Sequence, residues 1–77
     1  MDIFKEFRED TRNEFYSGRP VKAKIYALRK YGIYDMQDAV VDRCVTDEEC
    51  KDGCRFGVMV RYNDNVYWVD PSDCELV

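Results

Sequence analysis

Between Phe56 and Pro71 apolar and polar positions alternate with a period of two. Val58, Val60, Tyr62, Tyr67 and Val69 fall on one set of positions, and Met59, Arg61 and Trp68 on the other. Two β-branched and aromatic runs around the polar stretch Asn63-Asp64-Asn65 predict a β-hairpin. With Asp64-Asn65 as a two-residue turn, Tyr62 is expected opposite Tyr67, Val60 opposite Val69, and Arg61 opposite Trp68. The valines and tyrosines then form the buried face, with Met59, Arg61 and Trp68 on the other. A slip of one residue would exchange the two faces.

The first half follows a different period. Ile3, Phe4, Phe7, Thr11 and Phe15 recur at three- and four-residue spacing, which predicts a helix over about residues 3–16. Asp2 is placed to cap it, Lys5 and Glu9 to pair on its wet side, and Gly18 to end it; the phenylalanine stripe is expected to pack in the core. Pro20 suits the first turn of a second helix reaching about residue 31, with Val21, Ile25 and Leu28 inward and Gly32 as its stop. The same stretch also reads as a strand, because Val21, Ala23 and Ile25 alternate with Lys22, Lys24 and Tyr26. Its Ala, Lys, Leu and Arg content favours the helix.

The short β-branched run from Ala39 to Thr46 suits a strand, preceded by a helical turn near 35–38. In an alternative reading Asp35 caps a third helix carrying Met36, Val40 and Cys44. Thr46-Asp47-Glu48-Glu49 fits a capping box, with Gly53 as a stop, so a short helix is expected over 47–52. Ser72-Asp73 reads as a turn and Cys74-Glu75-Leu76-Val77 as a final short strand. The expected architecture is a single α+β domain spanning residues 1–77. Two N-terminal helices pack on a three- to four-stranded antiparallel sheet.

Composition supports a folded chain. Of 77 residues, 45% are hydrophobic and 14% aromatic, enough for a small core despite 36% charged residues. No apolar run approaches the roughly 20 residues of a membrane span. Met1-Asp2-Ile3-Phe4-Lys5-Glu6 has neither the basic start nor the apolar stretch of a signal peptide. A cytoplasmic setting with reduced cysteines is therefore expected.

The net charge of −4 conceals a polarity along the chain. Residues 15–34 carry Arg19, Lys22, Lys24, Arg29 and Lys30 and no acid, whereas residues 35–77 carry eleven acids against four bases. Phosphates would be repelled by the C-terminal half, so nucleic acid is not its expected partner. A partly paired, solvated surface accounts for much of this pattern.

Chemistry-bearing residues are few. Histidine is absent, the two serines Ser17 and Ser72 lie in turn-like contexts, and the four glycines are scattered singly. The paired carboxylates of Asp47-Glu48-Glu49 fit helix capping better than acid–base work. Catalysis is not expected, and no cofactor is. Cys44, Cys50, Cys54 and Cys74 are the sharpest cluster. Four thiolates would suit tetrahedral zinc, but only Cys50 and Cys54 have the close spacing of a structural site. Disulfides and reduced packing thiols are the other readings, and reduced thiols are expected. Met59, Arg61 and Trp68 form the candidate protein-binding patch, with the Arg61 guanidinium over the Trp68 indole; cover by the first helix is the competing reading. Tyr31-Gly32-Ile33 between two helices would resemble a helix-turn-helix, but Asp35, Asp38 and Asp42 follow where a recognition helix needs bases.

The run Gly57-Val58-Met59-Val60-Arg61-Tyr62, then Val66-Tyr67-Trp68-Val69, the Pro71-Ser72-Asp73 turn and Cys74-Glu75-Leu76-Val77 resembles the closing half of a small, partly open SH3-like barrel. In such barrels a hairpin is followed by a helical turn and a last strand, and the resemblance implies a binding module. In size and acidity the chain is also similar to phage or mobile-element accessory proteins, some of which inhibit host enzymes. The leading expectation is a non-enzymatic inhibitor or adaptor that docks on a basic protein surface. A regulatory domain binding zinc through the four cysteines is the second reading, and a nucleic-acid module using the basic 19–30 face the third. An exposed hairpin edge would permit a monomer or a weak homo-oligomer.

Overall fold

A computed structural model describes residues 3–77; the expected cap at Asp2 lies outside them. Helix α1 (Ile3–Glu14) leads into β1 (Pro20–Ala23) and a 3-10 helix, η1 (Tyr26–Tyr31). There follow β2 (Gln37–Cys44), α2 (Asp47–Lys51), β3 (Val58–Tyr62), β4 (Asn65–Val69), a second 3-10 turn, η2 (Pro71–Asp73), and β5 (Cys74–Leu76). The five strands form one antiparallel sheet in the order β4-β3-β2-β1-β5. The fold is α+β as expected, but the sheet is larger and the helices differ.

The second N-terminal helix is absent. Residues 20–23 are instead a strand between β2 and β5, with Val21 and Ala23 buried and Pro20 and Lys22 outward. The period-two reading prevails because both edges of β1 find partners, which outweighs the modest helix preference of alanine and lysine. Only η1 remains helical, ended by Gly32 in the left-handed conformation (φ 80°). No helical turn forms at 35–38, nor a helix from Asp35; β2 begins at Gln37, so a helix-turn-helix is also excluded.

The capping box of α2 is formed as the sequence implies. Thr46 Oγ1 accepts from the Glu49 N–H at 3.2 Å, and a Glu49 carboxylate oxygen accepts from the Thr46 N–H at 3.0 Å. The β3–β4 hairpin turns on Asn63-Asp64, both at positive φ (48° and 64°), as a two-residue turn matched to the strand twist requires. Tyr62 therefore pairs with Asn65, Val60 with Tyr67, Met59 with Trp68 and Val58 with Val69. This register differs from the expected one by two residues, so partners change while faces do not.

One hydrophobic cluster holds the domain together. Val21, Ala23, Ala39, Val41, Val58, Val60 and Val69 line the inner face of the sheet, and Phe15, Ile25 and Leu28 pack against it. The expected phenylalanine stripe contributes only in part. Thr11 and Phe15 are buried, but Phe4 and Phe7 stay 74% and 52% exposed. Helix α1 is held instead by its polar side. Arg8 Nε and an Arg12 Nη2 both donate to one Asp47 carboxylate oxygen, at 3.0 and 2.8 Å, and Arg12 Nη2 also donates to the Val45 carbonyl at 2.9 Å. Arg12 further lies 5.2 Å above the Phe56 ring. These two arginines hold the Asp47 carboxyl below the usual carboxylate range, Arg12 first.

Candidate binding groove

The outer face of the sheet is uncovered, so the first helix does not hide it. Val40, Val66 and Trp68 are exposed there, with Met59 half-buried between Trp68 on β4 and Arg43 on β2. A β-bulge at Asp42 separates the Val41–Val60 and Arg43–Met59 pairs. Beyond it, Val45 and α2 rise to make one wall. The result is an open groove of about 440 Å³ lined by Val45, Glu49, Cys54, Arg55, Met59 and Trp68.

Trp68 sets its floor. Its indole lies across Gly57, where an added Cβ would stand 2.3 Å from Nε1 and 2.4 Å from Cε2. Nε1 donates to the Arg55 carbonyl at 3.0 Å, and the Arg55 guanidinium carbon sits 5.4 Å from the indole. Arg55 is in turn paired with Asp70 at 2.9 Å. The other Asp70 oxygen accepts from the Ser72 N–H at 3.0 Å and the Ser72 hydroxyl at 2.8 Å. These bonds, led by the backbone donor, hold the Asp70 carboxyl below its ordinary range. The turn η2 thus positions the arginine that covers the tryptophan.

The opposite rim is equally tied. Arg43 meets both Glu49 oxygens, at 2.6 and 3.1 Å, while Glu49 also closes the capping box. Its pKa is brought down to about 2, chiefly by Arg43 and then by the Thr46 N–H. Glu49 remains a carboxylate throughout the physiological range. The groove therefore presents an apolar floor between two fixed charges.

Two of the three expected patch residues, Met59 and Trp68, meet in this groove. Arg61 does not. It faces Val66, and its guanidinium pairs with Asp42 at 2.6 Å, leaving Arg55 over the indole. The two-residue change of register is the cause. Arg55 and Gly57 carried only a weak sequence signal: a lone glycine beside a strand marks close backbone approach.

The four cysteines are free thiols, Cys44 on β2, Cys50 on α2, Cys54 in the loop after α2 and Cys74 on β5, and among the described residues no three His, Cys, Asp or Glu side chains gather to hold a metal ion. Burial, then Asp73, pushes the Cys74 thiol up to about 12, and burial raises Cys44, whose Sγ lies 3.5 Å from the Phe15 carbonyl. Cys54 is exposed at the groove. In native protein, iodoacetamide is expected to modify Cys54 well before Cys44 or Cys74, which should react only in denaturant. Peptide mapping reads the order, and equal rates at Cys74 and Cys54 would show that β5 does not stay docked.

No helix among the described residues is long and apolar enough to cross a membrane. No protein-family model, curated protein or solved structure matches the chain.

Proposed function

We propose that the chain is a protein-binding module, an inhibitor or adaptor rather than an enzyme, and that it docks through the Met59–Trp68 groove. The observation that carries this reading is the groove itself: a tryptophan and a methionine held open to solvent by ion-paired walls, without an acid–base pair among its lining residues. Rigid aromatic anchors lose little entropy on binding.

The surrounding charge favours a basic partner. In the C-terminal half Arg43, Arg55 and Arg61 are each paired with an acid. Asp35, Asp38, Glu48, Asp52, Asp64, Asp73 and Glu75 make no ion pair among the described residues. A basic segment with an apolar anchor fits this surface. The hairpin, the helical turn η2 and the last strand β5 support the likeness to SH3-like binding modules. The small acidic character suits an accessory protein of phage or mobile-element type.

Selection from a random displayed-peptide library on the immobilised protein tests the reading. Enriched peptides should carry lysine or arginine beside an apolar residue, bind less as salt rises, and lose affinity on Trp68→Ser. Peptides without a basic bias, or binding indifferent to Trp68→Ser, would overturn it.

A further inference from the structure

A second surface stands apart in chemistry from the groove. The 3-10 helix η1 and the turn after it, residues 26–34, expose three tyrosines: Tyr26 at 70%, Tyr31 at 69% and Tyr34 at 58%. Each is visited by a cation. The Arg29 guanidinium carbon lies 4.0 Å from the Tyr26 centroid and 5.9 Å from that of Tyr34, and the Lys30 ammonium lies 5.2 Å from Tyr31. The arrangement follows from the helix type. Three residues per turn eclipse positions i and i+3, which sets Arg29 directly over Tyr26.

Two arginines, Arg19 and Arg29, have no carboxylate partner among the described residues, and Arg19 donates instead to the Glu14 carbonyl at 2.8 Å. Arg8, Arg12, Arg43, Arg55 and Arg61 are each bonded to a carboxylate. Arg29 makes no ion pair among the described residues, and its Nε is buried without a hydrogen-bond partner. No acid occurs between residues 15 and 34, while Lys22 and Lys24 are exposed just upstream on and after β1. The Arg29 Nε donor is shut off from solvent, and the stack on Tyr26 holds the guanidinium in place. A guanidinium held between rings, two nearby lysines and three exposed aromatic faces match a chain of anions carrying flat rings. An acidic peptide would satisfy the cations but leave the tyrosines without a role.

We infer that the Tyr26–Arg29–Tyr34 surface, with Lys24, Lys30 and Tyr31, binds single-stranded nucleic acid: phosphates against the cations, bases stacked on the tyrosines. This goes beyond the proposed protein docking and does not depend on it. The two surfaces abut where Tyr26 and Trp68 line one depression of about 290 Å³. Asp38 and Glu75 stand opposite Lys22 across the sheet and Asp73 lies beside Lys24, so the cationic field is centred on Arg29 and Lys30 and the interaction depends on salt.

Fluorescence anisotropy with a labelled oligouridine of roughly 4–16 nucleotides tests the inference at low salt. Three phosphate contacts predict a slope of about −2 in log affinity against log salt. Tyr26→Ala with Tyr34→Ala should weaken binding about fivefold or more, since each stacked base contributes measurably. Lys30→Glu, at an exposed position, should also weaken it, and Val66→Ser, exposed on β4 outside the depression that Tyr26 and Trp68 line, should leave it unchanged. Circular dichroism confirms that each variant is folded; if the double tyrosine variant is not, Tyr31→Ala and Lys30→Glu decide. Absence of binding at low salt overturns the inference. So does equal binding of duplex, heparin or polyglutamate with no response to the tyrosine variants, which would assign the surface to polyanions or acidic peptides in general.

Discussion

Gly57→Ala should dislodge the only tryptophan and erase the groove. The new methyl would stand 2.3 Å from the indole nitrogen, well inside van der Waals contact, and Gly57 is itself buried with its carbonyl bonded to the Val45 N–H at 3.0 Å. Backbone on one side is fixed, so the indole must move. Its bond to the Arg55 carbonyl is lost with it, and Arg55 loses its aromatic support. Overpacking of this kind costs about 1–3 kcal/mol. Tryptophan emission should shift to the red, and any ligand of the groove should bind far more weakly. The cause is checked by a double-mutant cycle: once Trp68→Ala has removed the indole, Gly57→Ala should cost almost nothing. An additive cycle would mean that Gly57 is required for its backbone and not for the indole.

Val60→Ala should lower stability by about 2 kcal/mol, the transfer free energy of the lost methyl groups together with the cavity they leave. Val60 is fully buried at the centre of the sheet, opposite Val41 on one side and Tyr67 on the other. In a domain of this size the midpoint of thermal unfolding should fall by on the order of 10 °C. Val66→Ala, on the exposed outer face two residues from the turn, serves as the reference and should change stability by less than about 0.5 kcal/mol. Equal shifts for both would mean that the two faces of the hairpin are not distinguished by burial.

The elements legible in the sequence were those specified by local chemistry. Thr46 and Glu49 bond each other across one turn, so α2 needs no distant partner to be recognised. The faces of β3 and β4 follow from alternation alone. What escaped depends on tertiary pairing. Val21-Lys22-Ala23 carries both periods, and its strand state is decided by β2 and β5, neither of them adjacent in the chain. Phe4 and Phe7 show that helical spacing defines a stripe without saying that anything covers it. The groove was half legible, since Met59 and Trp68 share a face in either register. Substituting Arg55 for Arg61 required knowing which two residues make the turn. The cysteines offered no pattern beyond spacing, and they are dispersed over β2, α2, the loop after α2 and β5 because those segments are placed by other forces.

The pairing of β1 has a consequence for how the chain reaches this structure. Strands β2, β3 and β4 form a meander, and β3 and β4 are joined by only a two-residue turn, so that part can assemble by local search. β1 must then add to β2, and β5 must return from the far side of the molecule to pair Cys74 with Ala23. That last contact has the greatest sequence separation in the sheet and the largest loop to close, which places it late in folding. Until it forms, β1 presents an open row of backbone N–H and C=O groups, and that edge is available to any other strand that arrives first. Three residues, Cys74 to Leu76, therefore cover the β1 edge and become the border of the sheet in its place, at the opposite side from β4.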